Sequence, residues 1–251
     1  KDAPVENGST ERNLDTVIVR YCWLITIAAI FVSLYATLEL RILYADGTYY
    51  LLRILEKEGF AFIEPSRRFT HFLQQFPTVL AIRLGVDSIP ALIVCYGTTI
   101  HFLPLILNTI CFFVLPAEKK AFFVFPVLHY LAGTTSASFA GMVEGPVAAA
   151  YFWLLLYLLL FRLERKLWIL VLFLALPAVY LHEVMAFLAP LLAAVAGWRA
   201  SQEQQRAGAM RFTLLAILFL VIAAIQISFV IYPLRPVNRA NFFQDLIHLK
   251  W

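Results

Sequence analysis

The sequence predicts an all-α polytopic membrane protein of about seven transmembrane helices, with membrane-lying helices in the first external loop. Three observations carry this. Of 251 residues, 62% are hydrophobic and 14% charged, where an ordinary soluble domain carries roughly 25% charged residues. Mean hydropathy is +0.80. The apolar runs are continuous, with hardly any of the alternation a barrel strand would show, which favours a helical bundle.

A hydrocarbon core of about 30 Å needs about 20 apolar residues per helix. The chain then divides into a polar cytoplasmic N-terminus at 1–16, a transmembrane module at 17–232 and an external tail at 233–251. Within the module, spans fall near 17–43, 89–115, 121–139, 146–161, 167–181, 184–197 and 211–232. The fifth and sixth are short, and 167–197 reads either as two short helices or as one tilted span. The first span reads as a retained anchor, because a polar stretch precedes it and no small-x-small cleavage site follows. The polar, Pro-containing tail has no stop signal, as expected of one module in a longer protein.

Lys and Arg in the short loops set the orientation. Lys119 and Lys120, then Arg162, Arg165 and Lys166, then Arg199, Arg206 and Arg211 fall on one side, taken as cytoplasmic. The loop 44–88, the turns at Gly141–Glu144 and His182-Glu183, and the tail then lie outside. The net charge of +4 is mostly this topology signal and gives no reason to expect nucleic acid. Cys22, Cys95 and Cys111 lie in apolar segments without paired spacing, so buried thiols are expected rather than a disulfide framework or a zinc site.

Loop 44–88 is the sizeable external element. Phe69, Phe72, Leu73, Phe76, Val79 and Leu80 recur at helical spacing with Arg67, Arg68, Gln74 and Gln75 between them. The spacing predicts an interfacial amphipathic helix over 67–84, bent at Pro77. A second helix is expected over 48–58, ending at Gly59.

Acids at a membrane are costly unless solvated, paired or useful, and Asp46, Glu144 and Glu183 all fall at external segment ends. Asp46, in Ala45-Asp46-Gly47-Thr48-Tyr49-Tyr50, reads either as a helix cap, a job Thr48 can do alone, or as a reactive carboxylate. Glu144 precedes Pro146 and reads either as an acid favoured by the helix dipole or as a second acid binding a metal or the acceptor. His182-Glu183 reads as a polar hairpin turn or as a His holding a phosphate or sugar, with the acid fixing its tautomer. Arg67, Arg68 and Arg83 attract anionic headgroups or clamp a donor phosphate. Arg235 and Arg239 offer the same chemistry beyond the last span. His101 and Asn108 share a helix face, and with His129 they are expected to make interhelical hydrogen bonds.

An anchor, an acid, a Tyr-rich helix and an interfacial helix in this order resemble the GT-C superfamily of integral membrane glycosyltransferases. Ala45-Asp46-Gly47-Thr48-Tyr49-Tyr50-Leu51-Leu52-Arg53 looks like that family's acid–x–x–x–Tyr–(x)n–Arg loop opening, and the topology extends the resemblance over nearly the whole chain. Gly47 departs from it, standing where a second acid is common. The resemblance implies an inverting transfer of a sugar from a polyprenyl-phosphate donor to a glycan, lipid or protein acceptor. Asp46 would be the catalytic base, with Tyr49, Arg67, Arg68, Glu144, His182, Glu183 and Arg235 binding substrate. A divalent cation is open. The partners are the bilayer, donor and acceptor, with no nucleic acid, and the place is a bacterial inner membrane with its active face external. A non-catalytic membrane subunit and a transporter or flippase of lipid-linked substrates are the alternatives.

Overall fold

The computed structural model describes residues 7–44, 46–134, 144–162 and 167–231, with side chains from Leu14 onward. Regular structure among them is helical throughout. The chain forms two compact units, one of residues 1–61 and 74–162, the other of 62–73 and 163–251.

In the first unit, α1 (Asn7–Leu38) and α4 (Ile89–Val114) run antiparallel. The Trp23 ring meets Phe112 at 5.1 Å, and Ser33 Oγ donates to the His101 carbonyl at 3.4 Å. Helix α6 (Gly145–Tyr157) continues through a π turn to Arg162. It lies parallel to α4, because Glu144 is within electrostatic reach of Tyr96 while Arg162 Nε donates to the Val114 carbonyl at 2.7 Å.

The connecting leg runs back beside α6. It comprises a 3₁₀ segment (Ala117–Phe123), α5 (Val124–His129) and a π turn (Tyr130–Thr134). Pro126 has no N–H for the Phe122 carbonyl four residues back, and the Tyr157 hydroxyl donates to that carbonyl at 2.5 Å. Further along, Trp153 Nε1 donates to His129 Nδ1 at 3.0 Å, the interhelical bond expected of this histidine. Lys120 Nζ donates to the Phe112 carbonyl, and with Arg162 it places cationic donors on the last carbonyls of α4, where the helix dipole favours them.

α2 (Asp46–Lys57) is amphipathic, burying Gly47, Tyr50, Leu51 and Ile54. It starts two residues earlier than expected and stops one short. Glu58 takes a left-handed conformation, φ 47°, and Gly59 N–H closes onto the Ile54 carbonyl at 3.2 Å. That is a Schellman ending with glutamate in the position glycine prefers. α3 (Arg68–Arg83) ends the same way, with Gly85 at φ 85° and Val86 N–H on the Ala81 carbonyl at 3.0 Å.

α3 carries its faces the other way round from a helix in water. Phe72, Phe76, Leu80 and Leu84 are exposed, whereas Thr70, His71, Gln74, Gln75 and Thr78 are buried. Gln75 explains part of this, since its amide exchanges hydrogen bonds with the Ala61 backbone, accepting at 2.7 Å and donating at 3.1 Å. The aromatic ridge therefore faces outward, as an interfacial helix requires, but Gln75 pins backbone and Gln74 is buried instead of meeting water. Val79, expected on the ridge, is buried.

In the second unit, α7 (Trp168–Ala175) runs into a 3₁₀ turn (Leu176–Tyr180), and α8 (Met185–Gln202) forms a hairpin with α9 (Arg206–Ile231). Ala186, Ala189, Ala193 and Ala196 are buried on α8, small residues that let helices approach closely. The stretch 167–197 is thus broken at 181–184 and is not one tilted helix.

Among the described residues, four helices are long and apolar enough to cross a membrane: Leu14–Leu38, Ile89–Val114, Gly145–Arg162 and Arg206–Ile231. The expected number was about seven. The third predicted span falls on the broken leg from Ala117 and runs into residues outside those described. The fifth, Trp168–Tyr180, is a shorter apolar helix. The sixth, α8, carries polar residues and Arg199 in its last turns, and is not among the four.

Candidate functional site

Asp46 is the first residue of α2 and is exposed. Leu40, left-handed at φ 53°, turns the chain off α1, and a 3₁₀ turn (Arg41–Leu43) follows. The Thr48 hydroxyl donates to the Leu43 carbonyl, so it ties the turn to the helix instead of capping α2. Asp46, Tyr49, Arg53 and Glu56 fall at helical spacing on one exposed face. Arg53 donates to Glu56 at 2.7 Å and stacks over Tyr49 at 5.4 Å. Asp46 is thus an exposed carboxylate three residues from an exposed phenol. The opening's other tyrosine, Tyr50, is buried.

Gly47 accounts for the missing second acid. A Cβ there would stand 2.1 Å from the Ile42 carbonyl oxygen, a backbone atom that cannot give way. On the other side, a Cβ on Gly97 would meet the Ile42 side chain at 3.4 Å. Ile42, fully buried, is therefore held between a glycine of α2 and a glycine of α4.

Glu144 is buried, 4% exposed, at the head of α6, and its side chain does not cap that helix. It is close enough to the buried phenol of Tyr96 to interact electrostatically, as is Tyr50 of α2. Asp46 and Glu144 consequently gather at one end of the first unit. Lys119, Lys120 and Arg162 mark the other, where Asp15, Arg20, Glu118 and Lys120 help line a groove of about 500 Å³.

Glu183 belongs to the second unit, where it is the hub of a polar cluster. Ser66 Oγ donates to its Oε1 at 2.5 Å, and Arg67 Nε donates to Oε1 at 3.1 Å and Oε2 at 2.9 Å. Burial opposes ionisation of Glu183 most strongly of any single effect. The Ser66 hydroxyl, the Arg67 guanidinium, His182 and a backbone N–H together outweigh it, holding the carboxyl below the usual glutamate range. His182 Nδ1 accepts the Val184 N–H at 3.0 Å, which puts the neutral ring's proton on Nε2. Its 3.5 Å approach to Glu183 is therefore an ion pair only when the ring is doubly protonated. Nearby, the Thr70 hydroxyl donates to the Leu181 carbonyl at 2.5 Å, and Gln226 Nε2 donates to the Val179 carbonyl at 2.7 Å.

The predicted donor-binding residues thus have distinct settings. Arg67 is engaged by Glu183, while Arg68 and Arg83 are exposed. Arg235 and Arg239 lie outside the described residues. His101 and Asn108 share the buried face of α4, and the His101 backbone carbonyl accepts from Ser33 of α1. Cys22 and Cys111 are buried, and all three cysteines are free thiols. Among the described residues no group of three His, Cys, Asp or Glu could hold a metal ion. Ser66 and Gln226 went unnoticed in the sequence, since a single serine in a polar loop and a single glutamine amid an apolar run carry no periodic signal.

No protein-family model, curated protein or solved structure matches this chain.

Proposed function

We propose that the chain is a membrane glycosyltransferase of the GT-C kind, transferring a sugar from a polyprenyl-phosphate donor to an acceptor hydroxyl, with Asp46 as base. The observation that carries this is the exposed Asp46 carboxylate, on a helix pinned directly after the first membrane span. The acceptor hydroxyl gives its proton to Asp46 as its oxygen bonds to the anomeric carbon, and the sugar–phosphate bond breaks with its electron pair leaving on phosphate. One carboxylate suffices for this single displacement. Tyr49, at i+3 on the same face, is positioned to contact the acceptor. Arginines, as the resemblance implies, would offset the charge growing on the phosphate.

Four candidate spans, with a leg returning between the parallel α4 and α6, support a crossing number above four, and seven fits the distribution of Lys and Arg. The active face is then the end holding Asp46 and Glu144, outside a bacterial inner membrane. Asp46→Asn in purified full-length protein, assayed with a polyprenyl-phosphate sugar, should cut turnover by about 10² or more, with melting unchanged. Normal turnover by that variant would remove Asp46 as the base, and no turnover by the unaltered protein would leave a non-catalytic membrane subunit as the better account.

A further inference from the structure

The second unit holds a pocket of about 360 Å³ where α9 begins, lined by Trp168, Glu203, Gln205, Gly208, Arg211 and Phe212. Arg199 of α8 lies over the Phe212 ring at 5.3 Å, so two guanidiniums border one aromatic wall. Glu203, the acid of the lining, has Oε1 engaged by the Gln205 N–H at 3.3 Å. Its side chain folds over Gly208, where a Cβ would meet Glu203 Cγ at 2.6 Å. Arg206 is exposed on the next turn. Three arginines against one glutamate give this end a net positive charge.

Its surroundings are those of a bilayer border. α9 is one of the four helices able to cross a membrane, and the pocket sits at its start. Trp198, 54% exposed on the last turns of α8, is a residue type enriched at that depth. Below Arg211, Leu214, Ile217 and Val221 form an exposed apolar strip along α9. A polar, cationic pocket continuous with an apolar strip fits an amphiphile, because a soluble anion would leave the strip unused.

We propose that this pocket binds an anionic phospholipid, its phosphate against Arg211 and Arg199 and its acyl chains along the Leu214–Ile217–Val221 strip. Basic pockets between membrane helices take such headgroups, and each Arg near the surface strengthens binding about fivefold. The site is separate from the Asp46 reading and stands whether or not that reading does.

The test is a titration of the purified full chain, in neutral detergent, with phosphatidylglycerol and with phosphatidylcholine of equal chain length, followed by native mass spectrometry. Phosphatidylglycerol should be preferred, and Arg211→Gln and Arg199→Gln should each weaken it about fivefold with helicity unchanged. Glu203→Gln keeps an oxygen for the Gln205 N–H but removes the negative charge, so it should tighten binding. Glycerol phosphate should not compete at matching concentration. Equal binding of the two lipids, or effective competition by glycerol phosphate, overturns the proposal. If Arg211→Gln does not fold, Glu203→Gln decides, and no gain in affinity there overturns it as well.

Discussion

Glu183 shows how one residue's role changes with its partners. In the sequence it sits beside His182 in what resembles a solvated turn. In the structure it receives Ser66 and Arg67, which lie more than a hundred positions earlier, and no local pattern announces that pairing. The physical consequence is pH dependence. Its carboxyl is held below the usual range, so the unfolded chain binds the proton more readily, and the pair's contribution is complete above the ordinary value of about 4.3. That contribution falls as pH drops through the lower folded value. Glu183→Gln should flatten the acid limb of a thermal-stability profile and cost about 2 kcal/mol at neutral pH, less than for a fully buried pair. An acid limb unchanged in the variant would mean that the loss of stability arises elsewhere.

The elements read directly from sequence are those whose periodicity is strong. The long apolar helices α4 and α9 and the amphipathic α2 and α3 stand where the pattern put them, within about five residues, whereas α1 begins ten residues before the expected 17 and ends five before 43. Boundaries shifted where a turn took an unexpected residue, as at Glu58. Gly59 looked like the helix stop, yet the left-handed position falls one residue earlier. Glycine there is free of the Cβ penalty, so Glu58→Gly should raise stability by about 1 kcal/mol in a thermal or urea melt. Gly85→Ala, at the equivalent position of α3, should lower it by about the same amount. Equal and null effects at both sites would show that neither ending limits stability. The leg 117–134 was harder to read, because its apolar run suggests one regular helix. Pro126 and the turns around it break that run into 3₁₀, α and π pieces, which hydropathy averages over.

At the scale of the whole molecule, the charge pattern is tested only inside the first unit. Lys119, Lys120 and Arg162 were grouped by the charge rule alone, and the first unit does bring Lys120 and Arg162 onto the same end of α4. The number of crossings was less legible, since short or interrupted apolar segments satisfy hydropathy without the length of a span. In a background lacking Cys22, Cys95 and Cys111, single cysteines at Glu118 and Gln204 should react with a membrane-impermeant maleimide from one side of oriented vesicles. One at Glu58 should react from the other. Labelling of Glu118 and Glu58 from the same side would rule out the assigned orientation of α4.

The seat of Ile42 between Gly47 and Gly97 makes the start of α2 a joint without slack. A side chain added at Gly47 must displace the Ile42 backbone, whereas an alanine at Gly97 reaches ordinary contact with the isoleucine and only a larger side chain pushes on it; the first group carried along is the carboxylate one residue from Gly47. On the proposed reading of Asp46 as base, misplacing it and removing it leave different kinetic fingerprints. Moving Asp46 by about an ångström can cost about 10² in rate while the pH–rate profile keeps its shape; deleting the carboxylate erases the limb that reports its ionisation. Substitutions at Gly47 would therefore act on distance and those at Asp46 on chemistry, which lets position and proton transfer be varied independently at two adjacent residues.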